Sequence, residues 1–388
     1  MQPTWPIMSD AKGKQKLEAL AQERAWIALD RSALLHNIQQ VQAKLAPGTK
    51  LIAVVKADAY GHGAIAVARL ALSQGVAALA VATIPEGIQL RQSGITAPIL
   101  VLGATYRPEE ITAIAQWRLQ PTLCSPEQAL NFSRQMPRPL QVHLNIDTGM
   151  SRLGPIWQQG EAFVKFVQGL ANLEIVGVYS HLATADDPHS EFTALQLARF
   201  QELAQKLKVC GMQHVSFHLA NSAGVMLGQV YHFDWVRVGL ALYGLYPHPS
   251  FYPALHLRPV MAVKAKIKQV KLLPTATGVS YGHTFVTDRP TLLAVVGIGY
   301  GDGVPRSLSN RMQVLVQGQR VPQIGNVTMD QLMIDVTQVP QVQVGDEVTL
   351  IGRDGDQGIR VEDWAHLLQT ISYEIVCGFR DRLPRCWI

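Results

Sequence analysis

The chain has 388 residues, 48% of them hydrophobic and 16% charged, so it has the apolar material for a sizeable core and is neither a disordered chain nor a single small binding module. Its 34 Lys and Arg against 29 Asp and Glu leave a net charge of +5, with no dense run of like charges. That gives no support to a nucleic-acid partner and leaves room for anionic small molecules. Cys124, Cys210, Cys377 and Cys386 form no C-x-x-C, so neither a disulfide framework nor a zinc ribbon is expected, and a reducing cytoplasm fits.

Residues 1–24 interleave Lys and Glu without the apolar stretch of a secretory signal and read as an N-terminal extension. No apolar run is long enough to span a membrane, so a soluble protein is expected. From about 50 to 240, within a domain placed at 25–250, short apolar runs alternate with helix-period segments, the pattern of βα units around a parallel sheet. The predicted strands are 51–55, 77–82, 98–102, 119–123, 140–145, 173–179, 214–218 and 234–238, and the predicted helices include 64–73, 85–92, 126–134, 161–170 and 191–207. Eight strands close a (β/α)8 barrel; a doubly wound open sheet is the competitor, but it does not by itself need eight. From 251 to 388 the texture changes to β-branched alternation broken by Gly and Pro, at 261–273, 291–299, 311–322 and 344–352, which predicts a mainly antiparallel β domain. The expected fold class is therefore α/β, an N-terminal barrel with a C-terminal β domain.

The strongest local feature is IAVVKADAYGHG, where an apolar strand runs into Lys56 and then a Gly-rich turn. Catalytic side chains sit at the C-terminal ends of barrel strands, and low-dielectric surroundings make a lysine there a usable amine nucleophile. From spacing alone, a strand-ending surface lysine is equally open. The presumed loops after strands seven and eight read HLANSAG and RVGLALYG, where such barrels commonly hold a phosphate, so Ser222 and the amides of Gly239 and Leu240 are candidate ligands. A helix cap at Asn221 or Ser222 would use the same atoms. GIGYGDG lacks the G-x-G-x-x-G spacing, and no Walker, H-E-x-x-H or EF-hand pattern occurs, so hydride transfer, ATP hydrolysis and zinc proteolysis lose their usual support, and no metal site is expected.

A lysine after strand one and a phosphate cradle after strands seven and eight describe pyridoxal phosphate chemistry. At this point the sequence resembles the alanine racemases, pyridoxal-phosphate enzymes with a barrel and a C-terminal β domain. VVKADAYGHG, IDTGMSRLG, YSHLATAD, HLANSA, VRVGLALYG, VSYGHTF, IGYGDGVPR, VTMDQ and ISYE follow that family's motifs in order, from about Ala25 to the end.

The resemblance implies L-alanine to D-alanine interconversion by two-base proton transfer, supplying D-alanine for peptidoglycan. Lys56 would serve one face of the cofactor and Tyr281, from the partner subunit of a homodimer, the other, with His181 and Arg237 as cationic neighbours of the phenol. Arg237 would also face the cofactor's ring nitrogen; Tyr60, Ser222, Gly239, Leu240 and Tyr373 would hold the phosphate, with His218 and Asn221 supporting that loop. Arg152 and Met329 would bind the substrate carboxylate, and Tyr300, Arg306 and Asp186 match positions at the site's entrance. Two positions depart from the family pattern. Asn145 stands where many members carry a carbamylated lysine, so a chloride beside Arg152 is implied as a replacement. Thr328 stands where a cysteine often precedes the methionine, which implies less sensitivity to thiol reagents. A racemase of broader specificity, for serine or basic amino acids, and a related barrel decarboxylase are the alternatives, and Arg237 argues against the decarboxylase because such enzymes use an acidic partner for the ring nitrogen. A cofactor carrier built on the barrel alone, or an aldolase without the cofactor, would belong to other classes.

Overall fold

The computed structural model describes residues 24–187 and 189–388; apart from Arg24, the expected N-terminal extension lies outside the described residues. The described chain divides into two compact units, Ser32–Arg258 and a second formed by residues 24–31 with Pro259–Ile388. Strand β1 (Ala25–Leu29) pairs antiparallel with Met261–Leu273 and parallel with Arg385–Trp387. It therefore belongs to the second unit, although the sequence reading had the barrel begin at 25.

The first unit is a closed barrel of eight parallel strands: β2 (Lys50–Val54), β3 (Ala78–Val81), β4 (Ile99–Ala104), β5 (Gln120–Leu123), β6 (Leu140–Asn145), β7 (Leu173–Tyr179), β8 (Ser216–His218) and β9 (Trp235–Val238). These are the eight expected strands, two of them matched end for end and the others shifted, trimmed or extended by one or two residues at an end. Runs such as LIAV and ALAV are buried throughout, because a parallel barrel strand has helices on its outer face and packed side chains within. Two helices are absent from the expected set: Arg31–Lys44, ahead of β2, and Pro108–Gln116, between β4 and β5. Helix Ile84–Gln92 starts where the Glu86 carboxylate accepts from the N–H groups of Ala82 and Thr83, at 2.7 and 2.9 Å, satisfying donors that a helix start leaves open.

In the second unit the 13-residue strand β10 (Met261–Leu273) is the spine, pairing antiparallel with β1, with Thr291–Val296 and with Glu347–Asp354. The β-patterned segment at 311–322 is a hairpin, Gln313–Val316 with Gln319–Pro322. Its two-residue turn, Gln317 and Gly318, has φ of 50° and 74°, the primed geometry that matches strand twist. Two helices, Val361–Leu368 and Ser372–Gly378, complete the unit. Asp302 is fully buried and takes a two-point ion pair from Arg24, with both contacts at 2.7 Å, plus the Gly299 N–H at 3.0 Å. No described helix is long and apolar enough to cross a membrane.

Candidate active site

Lys56 and Gly239 leave adjoining strand ends. Ala53 of β2 is in register with Val238 of β9, so both residues emerge on the face where barrels gather their chemistry. Lys56 is half-buried. It opens a turn that its sequence hides: Ala57, Asp58, Ala59 and Tyr60 have φ of 51°, 51°, 54° and 54°, one turn of left-handed helix without a glycine. Each such residue costs about 1–2 kcal/mol, so the turn survives only because its surroundings hold it. Glu86 accepts from the Ala57 N–H at 2.7 Å, Asp58 from the Ala64 N–H at 2.7 Å, and the Ala59 N–H donates to the Val55 carbonyl at 2.9 Å. The Tyr60 ring rests on Tyr243, with centroids 5.0 Å apart.

The turn brings the Tyr60 hydroxyl over Gly239, where a β-carbon would lie 2.5 Å from it. Ser222 Oγ accepts from the Gly239 and Ala241 N–H groups, both at 3.3 Å. Asn221 instead caps helix Ser222–Leu227 by accepting from the Gly224 N–H at 3.0 Å. The cap and the cradle, which the sequence left competing for the same atoms, thus use different ones. Two hydroxyls and loop amides meeting at a residue with no side chain make a pocket edge suited to an anion with several oxygens.

Arg237, 3% exposed, fills the barrel beneath this edge. It donates to the Ser180 carbonyl at 2.7 Å and to ring nitrogens of His218 and His181 at 2.9 and 3.1 Å, and it lies over the Tyr179 ring at 4.7 Å. Burial pulls its pKa down to about 10, which leaves it charged near neutral pH. His181 is different: burial first, then the charges of Arg237, Arg152 and Lys56, push it down to about 3. Three cations beside this half-buried imidazole favour its neutral form, so Arg237 is the cation the geometry supplies there. Its loop is tied down by Gln196, whose side chain donates to the His181 carbonyl at 2.9 Å and accepts from the Ala183 N–H at 2.8 Å.

Asn145 ends β6, and beside it a cavity of about 10 Å³ is lined by Asn145, Asp147, Met150, Arg152, Ser180 and His181 among others. Arg152 itself is exposed. The remaining site residues from the sequence stand on the second unit. Tyr281 is 74% exposed and Met329 53%, while Tyr373 is half-buried on helix Ser372–Gly378. The Tyr281 carbonyl accepts from the Asn326 side chain at 2.7 Å, and Ser280 Oγ donates to the Asn326 carbonyl at 2.7 Å. The Met329 carbonyl accepts from the Gly301 N–H at 2.9 Å. Lys56 and Tyr281 are thus divided between the units. The sequence reading missed Tyr179, whose hydroxyl meets Thr122 Oγ1 at 2.9 Å, and His143, which meets His218. A signal for His143 existed, because its two-residue spacing from Asn145 puts both on one face of a strand.

The family model described as "Alanine racemase, N-terminal domain" matches residues 29–247, and "Alanine racemase, C-terminal domain" matches residues 260–387. The chain belongs to the alanine racemase family. An alanine racemase from Nostoc sp. is 55% identical over 368 residues, covering 94% of this chain and 95% of its own length, and one from Synechocystis sp. is 54% identical, covering 95% and 100%. Among solved structures, the Bacillus anthracis alanine racemase with bound L-Ala-P is 37% identical, with a TM-score of 0.88 and coverage of 94% and 95%. The Bartonella henselae alanine racemase with covalently bound pyridoxal phosphate is 31% identical, with a TM-score of 0.83 and coverage of 94% and 99%. These relatives are racemases, which does not favour the decarboxylase alternative.

Proposed function

We propose that this chain interconverts L-alanine and D-alanine with pyridoxal phosphate, moving the α-proton between Lys56 on one face and the partner subunit's Tyr281 on the other. One observation carries the reading: Lys56 and the edge formed by Tyr60, Ser222 and Gly239 leave neighbouring strand ends, so one lysine and one anion cradle serve the same ligand. When bound, pyridoxal phosphate draws electron density from the amino acid's α-carbon and so makes its proton acidic.

The chain's own residues do the rest. Tyr60, Ser222, Tyr373 and the amides of Gly239 and Leu240 hold the phosphate, with His218 and Asn221 behind that loop. Arg237 donates to the ring nitrogen and does not surrender a proton to it. The ring is then only a moderate electron sink, which favours prompt return of the proton over side reactions such as transamination. Arg152 and the Met329 N–H hold the substrate carboxylate. Lys56 and Tyr281 each accept the α-proton in one direction and return one in the other, and Arg237 is the cation that lowers the cost of a deprotonated phenol near neutrality. The two bases stand on different units, and likeness to the alanine racemases supports a homodimer with composite sites.

The cavity beside Asn145, about 10 Å³, is at the lower limit for one water, so a larger ion would need its lining to move slightly apart. A chloride there would supply beside Arg152 the negative charge that an asparagine cannot. The product suits a cytoplasmic supply of D-alanine for peptidoglycan. The deciding assay incubates the protein with pyridoxal phosphate and L-alanine, L-serine or L-arginine, and separates the enantiomers. We expect alanine to be racemised fastest; cofactor-loaded protein that leaves alanine untouched overturns the reading.

A further inference from the structure

A single line of polar side chains runs through the barrel from the mouth to the opposite rim. From Arg237, Nη1 lies 2.9 Å from His218 Nδ1, His218 Nε2 lies 3.1 Å from His143 Nδ1, and His143 Nε2 lies 3.2 Å from Gln120 Oε1. Gln120 Nε2 then donates to Gln141 Oε1 at 2.9 Å. An arginine can only donate, so His218 must accept on Nδ1 and carry its proton on Nε2. That proton can go only to His143 Nδ1, which places the His143 proton on Nε2, facing the Gln120 oxygen. Every link points the same way, and reversing either histidine would leave a buried donor or acceptor unpaired, at a cost of about 1–3 kcal/mol.

The barrel makes room for this line at Gly177, where a β-carbon would lie 2.2 Å from His143 Nδ1 and 3.1 Å from His218 Nε2. The His218 ring stacks on Tyr179, with centroids 4.8 Å apart and planes at 17°, which fixes its plane. His218 and His143 are both buried.

We propose that His143 and Gln120 are positioning residues for Arg237: they lock His218 into the neutral, Nε2-protonated tautomer, so that the guanidinium meets an acceptor in one fixed plane. Burial, followed by the charge of Arg237, holds His143 down to about 3 and His218 well below its ordinary value, so neither competes as a cation. The consequence for proton transfer rests on the racemase reading, whereas the tautomer pattern does not.

The test uses protein labelled with ¹⁵N-histidine, with and without pyridoxal phosphate. Long-range ¹H–¹⁵N correlations report which ring nitrogen carries the proton, and the His143 variants assign the signals. In the wild type, His143 and His218 are each expected to show a protonated Nε2 and a bare Nδ1, unchanged between about pH 6 and pH 8. His143→Leu removes the acceptor and should shift the His218 signal and lower kcat about tenfold with little change in KM; His143→Asn, whose oxygen stands near the place of Nδ1, should restore kcat to within about threefold. If His143→Leu does not fold, Gln120→Leu at the half-buried rim leaves the His143 Nε2–H without its acceptor and should shift the His143 Nε2 signal, while the tautomer set from Arg237 is kept. A charged or Nδ1-protonated His218 in the wild type, equal kcat for the Leu and Asn variants, or an unchanged His143 signal in Gln120→Leu would each overturn the proposal. Wild-type protein that shows the tautomer pattern but does not racemise alanine would instead overturn the activity and leave the line standing.

Discussion

The Tyr60 hydroxyl occupies the space that a side chain at residue 239 would need, 2.5 Å from the place of its β-carbon. Gly239→Ala must therefore push Tyr60 away or shift the loop whose amides meet Ser222. The expected outcome is a pyridoxal phosphate Kd raised at least about tenfold, roughly the loss of one charge-assisted hydrogen bond, with a cooperative unfolding transition retained. Titration of the cofactor by absorbance checks it, and an unchanged Kd would detach this edge from the phosphate.

Two buried imidazoles, His143 and His218, and the half-buried His181 give the fold a pH dependence of definite sign. In the folded protein His143 and His181 are held at about 3 and His218 well below 6.5, by burial first and then by Arg237. The unfolded chain protonates each as pH falls through 6.5, so between about 6.5 and about 3 the unfolded state binds more protons. Stability is then fully present above that window and declines on acidification, by about 1.4 kcal/mol per pH unit for each imidazole. Urea unfolding at several pH values between about 7.5 and 5 should give a steep slope that His143→Asn reduces by about one proton. Equal slopes in the two proteins would mean that His143 is not held neutral.

The left-handed turn after Lys56 makes a prediction opposite to ordinary helix rules. In a right-handed helix, replacing an exposed alanine by glycine costs about 1 kcal/mol. Ala57 is exposed with φ of 51°, a conformation that glycine adopts without penalty, so Ala57→Gly should instead stabilise the protein by about 0.5–1 kcal/mol, after the greater freedom of the unfolded glycine is subtracted. Chemical denaturation reads the sign directly, and a loss of about 1 kcal/mol would show that the strain is not there.

The barrel was legible because its strands are continuous apolar runs, and the runs at 173–179 and 140–145 matched their strands end for end. β1 was not, because AWIAL finds its partners more than 230 residues away at Met261–Leu273 and Arg385–Trp387. The turn at KADAY was hidden by composition: Lys and Ala favour a right-handed helix, and the contacts that hold the opposite hand, among them those from Glu86 and Tyr243, come from outside the segment. Lys56, Ser222 and Gly239 could be nominated from strand ends and loops alone. Gln120 could not, and His143 carried only its two-residue spacing from Asn145, since the meaning of both comes from His218 and Arg237 across the barrel.

The most direct test of the central claim fixes the coenzyme where it sits. Cofactor-loaded protein is treated with borohydride, digested and mapped by mass spectrometry. The account predicts one phosphopyridoxyl group per chain, on the peptide containing Lys56, with loss of racemisation in step with labelling. An unmodified Lys56 peptide in fully labelled protein, or a label spread over other lysines, would contradict it.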